Sequence, residues 1–181
     1  MKYFTLLSLS CALLLAAPSN DDQIIAKGDQ VSSMLVQKLG GELKAQMQTN
    51  GAIGALHFCS QNALNFTEQV AKETKTSLKR VSIHERNPVN KATADETALM
   101  KRWEELLKNG QPLPPNVIVN MSPTTATYYK PITINNEACL KCHGNVEGEL
   151  AKAIKAAYPE DKATGYKMGD LRGMIAIEMV R

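Results

Sequence analysis

The chain has 181 residues, of which 44% are hydrophobic and 22% charged. That is the size and balance of one globular domain, and it excludes a disordered tail or a polytopic membrane protein. Twenty-one basic against eighteen acidic residues give a formal charge of +3, too even for a nucleic-acid footprint, while four cysteines are too few for a disulfide-dense scaffold but enough for a metal or cofactor site.

Residues 1–19 read as a secretory signal peptide. Met1-Lys2 supplies the charged start, 6–17 an apolar run, and Ala17-Pro18-Ser19 a small-x-small cleavage site. The run is shorter than the ~20 residues a membrane span needs, so no stable membrane insertion is expected after cleavage. Residues 20–181 are expected to form one domain. Cleavage removes Cys11 and leaves Cys59, Cys139 and Cys142, an odd set for an oxidising compartment, where two cysteines pair and the third is stranded.

Along the mature chain, Val31, Leu35, Leu39, Leu43 and Met47 recur every four residues and mark one face of a helix. Gly40-Gly41 weakens it, and Asn50-Gly51 ends it. A second helix over 52–72 carries Leu56, Cys59, Ala63, Phe66 and Val70 on one apolar stripe, with His57 off that stripe. Val81 and Ile83 alternate with Ser82 and His84, which predicts a half-buried strand over 78–85. Arg86-Asn87-Pro88 opens a loop. Thr93 and Glu96 form a capping box for a helix with Leu99, Trp103, Leu106 and Leu107 on one face, stopped by Gly110 and the prolines at 112, 114 and 115. Strands are predicted over 116–120 and 128–134, a short helix over 150–157, and a closing strand through Ile175, Ile177 and Met179. Helices dominate the first half and strands frame the second, an α+β pattern with an antiparallel sheet.

Cys139-Leu140-Lys141-Cys142-His143 carries the chemistry. C-x-x-C-H is the attachment sequence of a c-type haem. Two thiols one helical turn apart can add across the two vinyl groups of the porphyrin, and the histidine that follows reaches the iron from one face. Export to an oxidising compartment suits that chemistry. A thioredoxin-like pair would need a βαβ pattern that is not visible. Zinc would need the distant Cys59 or His84 as further ligands. One motif implies one haem c per chain. For the opposite face of the iron the residues alone leave Cys59, His57, His84 and Met168 as candidates. Cys59 is the unpaired cysteine and lies on an apolar helix face where a macrocycle could pack.

These motifs in combination resemble the haem-binding, PAS-like c-type domain family, long catalogued as a domain of unknown function. The residues carrying the resemblance are Phe58-Cys59, Arg86-Asn87-Pro88-Val89-Asn90, Tyr129-Lys130-Pro131-Ile132, the run from Ala138 to Gly144, the run from Tyr158 to Tyr166, and Gly169-Asp170-Leu171-Arg172-Gly173. They span roughly residues 25–181. The resemblance implies a PAS-like antiparallel sheet with N-terminal and flanking helices. It also implies haem on Cys139 and Cys142, with His143 and Cys59 as axial ligands. One departure is Lys91-Ala92-Thr93-Ala94-Asp95-Glu96, where the family often has an acidic or proline-rich stretch ending in Trp-Glu.

A thiolate opposite histidine favours ferric iron and a low potential. The expectation is a periplasmic monohaem protein for redox sensing, signalling or one-electron transfer, with an unidentified protein partner and no enzymatic constellation. A five-coordinate, gas-binding c-type cytochrome is the alternative. Arg86, Lys130 and Arg172, at predicted strand ends, are the candidates for the haem propionates.

Overall fold

The computed structural model describes residues 19–181, so the expected signal peptide, Ser19 apart, lies outside the described residues. Ser19 caps the first helix, α1 (Asn20–Thr74). Its hydroxyl accepts from the Asp22 N–H at 3.1 Å, and the Asp22 carboxylate accepts from the Ser19 N–H at 3.1 Å. Two donors that a helix start leaves open are thereby satisfied.

Within α1 the helical path breaks at Gly51, with φ 66° and ψ −172°, a conformation that disfavours any β-carbon. The chain turns back there. Lys38 lies 5.7 Å over the Phe66 ring and 3.8 Å from the Glu73 carboxylate, so 20–50 and 52–74 run side by side as a helical hairpin. The break falls at the predicted Asn50-Gly51, whereas Gly40-Gly41 passes through without interruption.

Four strands form one sheet: β1 (Ser77–Val81), β2 (Val117–Asn120), β3 (Thr125–Thr133) and β4 (Leu171–Val180), in the order β1-β4-β3-β2 with every pairing antiparallel. Three further helices complete the described chain: α2 (Ala94–Lys108), α3 (Glu137–His143) and α4 (Gly148–Ala157), with a 3-10 turn at Pro88–Asn90. The α+β class with an antiparallel sheet is as the sequence predicts.

Alternation along the strands divides the core between two faces. On one face Ile24, Val31, Leu35 and Val70 of α1 pack on Tyr128, Ile175 and Ile177. On the other, Met100 and Trp103 of α2 pack on Val81, Tyr129, Met174 and Ala176. Gly28 lets α1 lie directly on the Tyr128 ring, because a β-carbon there would sit 2.3 Å from it. The predicted box opens α2, with Thr93 and Glu96 bonding reciprocally. No helix among the described residues is long and apolar enough to cross a membrane.

The first strand is shorter than predicted. It leaves the ladder after Val81 because Ser82 turns to bridge Lys91, and its hydroxyl donates to the Arg172 carbonyl at 2.9 Å. The last strand is longer than predicted, since it is paired on both sides and the ladder extends back to Leu171.

Candidate functional site

α3 begins at Asn136, whose side-chain oxygen accepts from the Cys139 N–H at 3.2 Å. One turn later the helix presents Cys142, and His143 closes it. Gly144 stops the helix with its N–H on the Leu140 carbonyl at 2.8 Å. A β-carbon at Gly144 would lie 2.7 Å from that carbonyl, so the motif needs glycine directly after the histidine.

The loop after α4 holds the end of α3 in place. Gly165 N–H donates to the Gly144 carbonyl and Tyr166 N–H to the His143 carbonyl, both at 2.9 Å. Arg86 ties the same parts together from the far side. Its Nε and Nη2 grip both Asp161 oxygens at 3.0 and 3.2 Å, and Nη2 also reaches the carbonyls of Cys142 (2.6 Å) and Ala163 (3.2 Å). Arg86 therefore stands in the site chiefly as a clamp on the backbone that carries the cysteines.

His143 Nδ1 lies 2.7 Å from the Ala163 carbonyl. A carbonyl only accepts, so Nδ1 carries the proton and Nε2 keeps its lone pair. Burial first, then the Arg172 and Arg86 cations, push this imidazole's pKa down to about 3. A neutral histidine with one nitrogen anchored and the other free is the form that binds a metal ion.

Cys59, Cys139 and Cys142 are free thiols, all half-buried. Burial pushes the Cys59 and Cys142 thiols up, opposed by Arg80 for Cys59 and by Arg86 for Cys142. Cys59, on the return half of α1, lies close enough to Cys142 for a charge there to push the Cys59 thiol further up. Arg172 enters from the start of β4. Its Nη1 donates to Ser82 Oγ at 2.9 Å and the His84 carbonyl at 3.1 Å, and its guanidinium carbon lies 5.4 Å from the centre of the Tyr166 ring. Tyr166 in turn meets the His143 ring edge-on at 6.2 Å.

The structure thus brings Cys139, Cys142, His143, Arg86 and Arg172 together, with Cys59 beside them. It does not bring Lys130 there: that side chain pairs with Asp29 at 2.5 Å, alongside the Tyr128 hydroxyl. His57 is exposed. His84 and Met168 line a separate cleft of about 640 Å³, together with Lys162, Tyr166 and Asp170, and neither His143 nor any cysteine borders it. Among the described residues no cluster of three or more His, Cys, Asp or Glu side chains could hold a metal ion by itself.

One residue escaped the sequence reading. Arg80 of β1 is half-buried near Cys59 and Tyr158, with its Nε shut off from solvent. Among the described residues, four buried side-chain polar atoms lack a hydrogen-bond partner: Arg80 Nε, Arg172 Nε, Tyr166 Oη and Arg181 Nε. Three of these border this region, where unsatisfied buried donors call for an acceptor that the protein does not itself provide. Two thiols one turn apart, a neutral imidazole and orphaned donors fit a covalently held haem with its carboxylates.

A family model described as Tll0287-like matches residues 13–179. The crystal structure of the cyanobacterial heme-protein Tll0287 is similar in fold, with a TM-score of 0.63 at 21% identity over 92% of this chain and 98% of that one. The comparison with curated proteins finds no match. The chain belongs to the Tll0287-like family.

Proposed function

We propose that this member of the Tll0287-like family is an exported, periplasmic monohaem c-type protein that serves redox sensing or one-electron transfer with a protein partner, and is not an enzyme. The observation that carries this reading is the assembly around α3: Cys139 and Cys142 as free thiols on one helix, and a neutral His143 whose Nδ1 is fixed at 2.7 Å on the Ala163 carbonyl. The solved relative being a haem protein supports it. So does the position of Cys59, half-buried on α1 near Cys142.

In this reading Cys139 and Cys142 are the residues that would hold the porphyrin, and His143 and Cys59 are those that would hold its iron. When bound, the haem supplies a one-electron iron couple. The chain's residues set its terms. His143 is oriented by the Ala163 carbonyl, which fixes its tautomer and raises its strength as a donor. Cys59 as thiolate favours the ferric state and lowers the potential. With both His143 and Cys59 as iron ligands, the residues would leave no protein-free position on the metal, which favours sensing or transfer over enzymatic work. The four-stranded antiparallel sheet with a helical layer on each face is what we take as PAS-like, an architecture suited to passing a local ligand change to a partner.

The test is the purified protein from a host that matures c-type cytochromes. Absorption should show covalent haem, lost in Cys139→Ala/Cys142→Ala. The oxidised protein should give a low-spin paramagnetic resonance signal of narrow g-spread, changed in Cys59→Ser. A wide low-spin signal would assign the second axial place to methionine or histidine. A high-spin signal would favour the five-coordinate, gas-binding alternative. Protein that matures without haem would overturn the reading.

A further inference from the structure

We propose that Arg80 and Arg172 form one half-buried carboxylate-binding pair, and that it holds a haem propionate at the edge of the site between Cys59 and His143. The proposal deepens the haem reading and rests on it.

Arg80 pairs with Ile175 of β4, on the sheet face that α1 covers. Its side chain therefore points under the helical hairpin rather than into solvent. There it lies near the Tyr158 phenol at the end of α4, the Arg172 cation of β4, and the Cys59 thiol of α1. Its Nε is buried without a partner, and among the described residues no carboxylate pairs with it. Arg172 is in the same position by a different route. Its Nη1 is bonded to Ser82 and His84, yet its Nε is buried without a partner. Asp161, the one carboxylate that acts on Arg172 through its charge, is already gripped by Arg86 through both oxygens.

Two half-buried guanidinium groups, each with a buried Nε that has no acceptor and with Arg172 disfavouring the Arg80 cation, are an unfavourable arrangement on their own. A carboxylate placed between them would accept from both Nε atoms and cancel the repulsion, in the geometry guanidinium groups are built to serve. The pair also has the right place. Arg172 stands over the Tyr166 ring that borders His143, while Arg80 stands beside Cys59. A group touching both lies at the rim of anything bound between those two donors. The groups around it are Cys59 from α1, Tyr158 from the end of α4, His143 from α3, Arg86 from the loop after β1, and Asp161 and Tyr166 from the loop after α4. None of them is a free acidic group, since Asp161 is taken.

The experiment uses the haem-loaded protein and measures its midpoint potential from about pH 5 to about pH 9, the window in which a released carboxylate near haem iron titrates. Wild type, Arg80→Lys and the exposed control Lys101→Gln should share one profile. Arg80→Gln should add a pH-dependent segment, as the carboxylate loses its counter-ion and takes up a proton on reduction. A superimposable Arg80→Gln profile would overturn the proposal while leaving the haem reading intact. A wild-type midpoint that shifts on adding acetate would place a free anion in the pair and overturn the propionate assignment. If Arg80→Gln fails to accumulate, Arg80→Lys decides through the propionate bending band in resonance Raman. A shifted band supports the pair, because an ammonium replaces a fork; an unchanged band overturns it. Protein without haem is recognised earlier, from absorption alone, and removes the propionate assignment together with the haem reading.

Discussion

Replacing Arg86 by Gln removes one guanidinium from three backbone segments at once. The Asp161 carboxylate loses its two bonds of 3.0 and 3.2 Å and keeps only the Ala163 N–H at 3.0 Å. The Cys142 carbonyl loses a bond of 2.6 Å. The Arg86 and Asp161 side chains are only 12% and 6% exposed, so the variant strands a buried charge rather than a solvated one. The expected loss is about 3–5 kcal/mol, against the ~0–1 kcal/mol of an exposed pair. Arg86→Lys should recover little of it, because an ammonium cannot bridge both carboxylate oxygens and two carbonyls. The double variant Arg86→Gln/Asp161→Asn should lose less than the sum of the single losses, since removing the acid removes the stranded charge. Urea unfolding followed by circular dichroism reads all five proteins, the wild type and the Asp161→Asn single variant included. An Arg86→Gln loss below about 1 kcal/mol would refute the clamp.

Two glycines of α1 should respond in opposite directions to the same change. Gly28→Ala drives a methyl group to within 2.3 Å of the Tyr128 ring and should cost about 1–3 kcal/mol, whereas Gly40, with nothing within 4 Å of its β-carbon position, should gain about 0.5–1 kcal/mol as alanine. Thermal unfolding of both variants decides it, and equal signs would contradict the packing described. In the haem-free chain, His143 has a folded pKa of about 3 against an ordinary 6.5. The unfolded chain then binds the extra proton between those values, so this contribution to stability is complete above pH 6.5 and is lost as pH falls toward 3, at up to about 1.4 kcal/mol per pH unit. His143→Gln should lack that part of the acid sensitivity, and identical pH profiles would show that His143 is not held neutral by burial.

What the sequence made legible is local. The Thr93–Glu96 box, the break at Asn50-Gly51 and the turn of helix that spaces Cys139 from Cys142 all depend on residues within a few positions of one another. What stayed hidden is set by distant partners. Arg80 reads as a surface cation in a strand whose apolar alternation runs through Val81 and Ile83. Only the covering hairpin determines that the opposite face is buried too. Lys130 stands next to a strand-ending proline motif in sequence, yet its partner Asp29 is 101 positions away. Arg86 was placed in the site by the loop motif, but its grip on Asp161, 75 positions on, turns it from a ligand contact into a clamp. The end of β1 at Val81 likewise follows from Ser82 meeting Lys91 and Arg172, which no periodicity within 78–85 records.

The placing of β4 between β1 and β3 also sets a timetable. β1 and β3 do not pair with each other, so each waits for residues 171–180, the last of the four strands to be synthesised. Until they arrive, the chain holds a helical hairpin and a β2–β3 ribbon but no sheet to join them. Cys139, Cys142 and His143 precede β4 along the chain, so the motif is made before the sheet can close. Long-range pairing of this kind is slow to form. The interval between making the motif and closing the sheet is therefore written into the strand order, and a chain cut short before Leu171 would leave two unconnected halves instead of a smaller version of the fold.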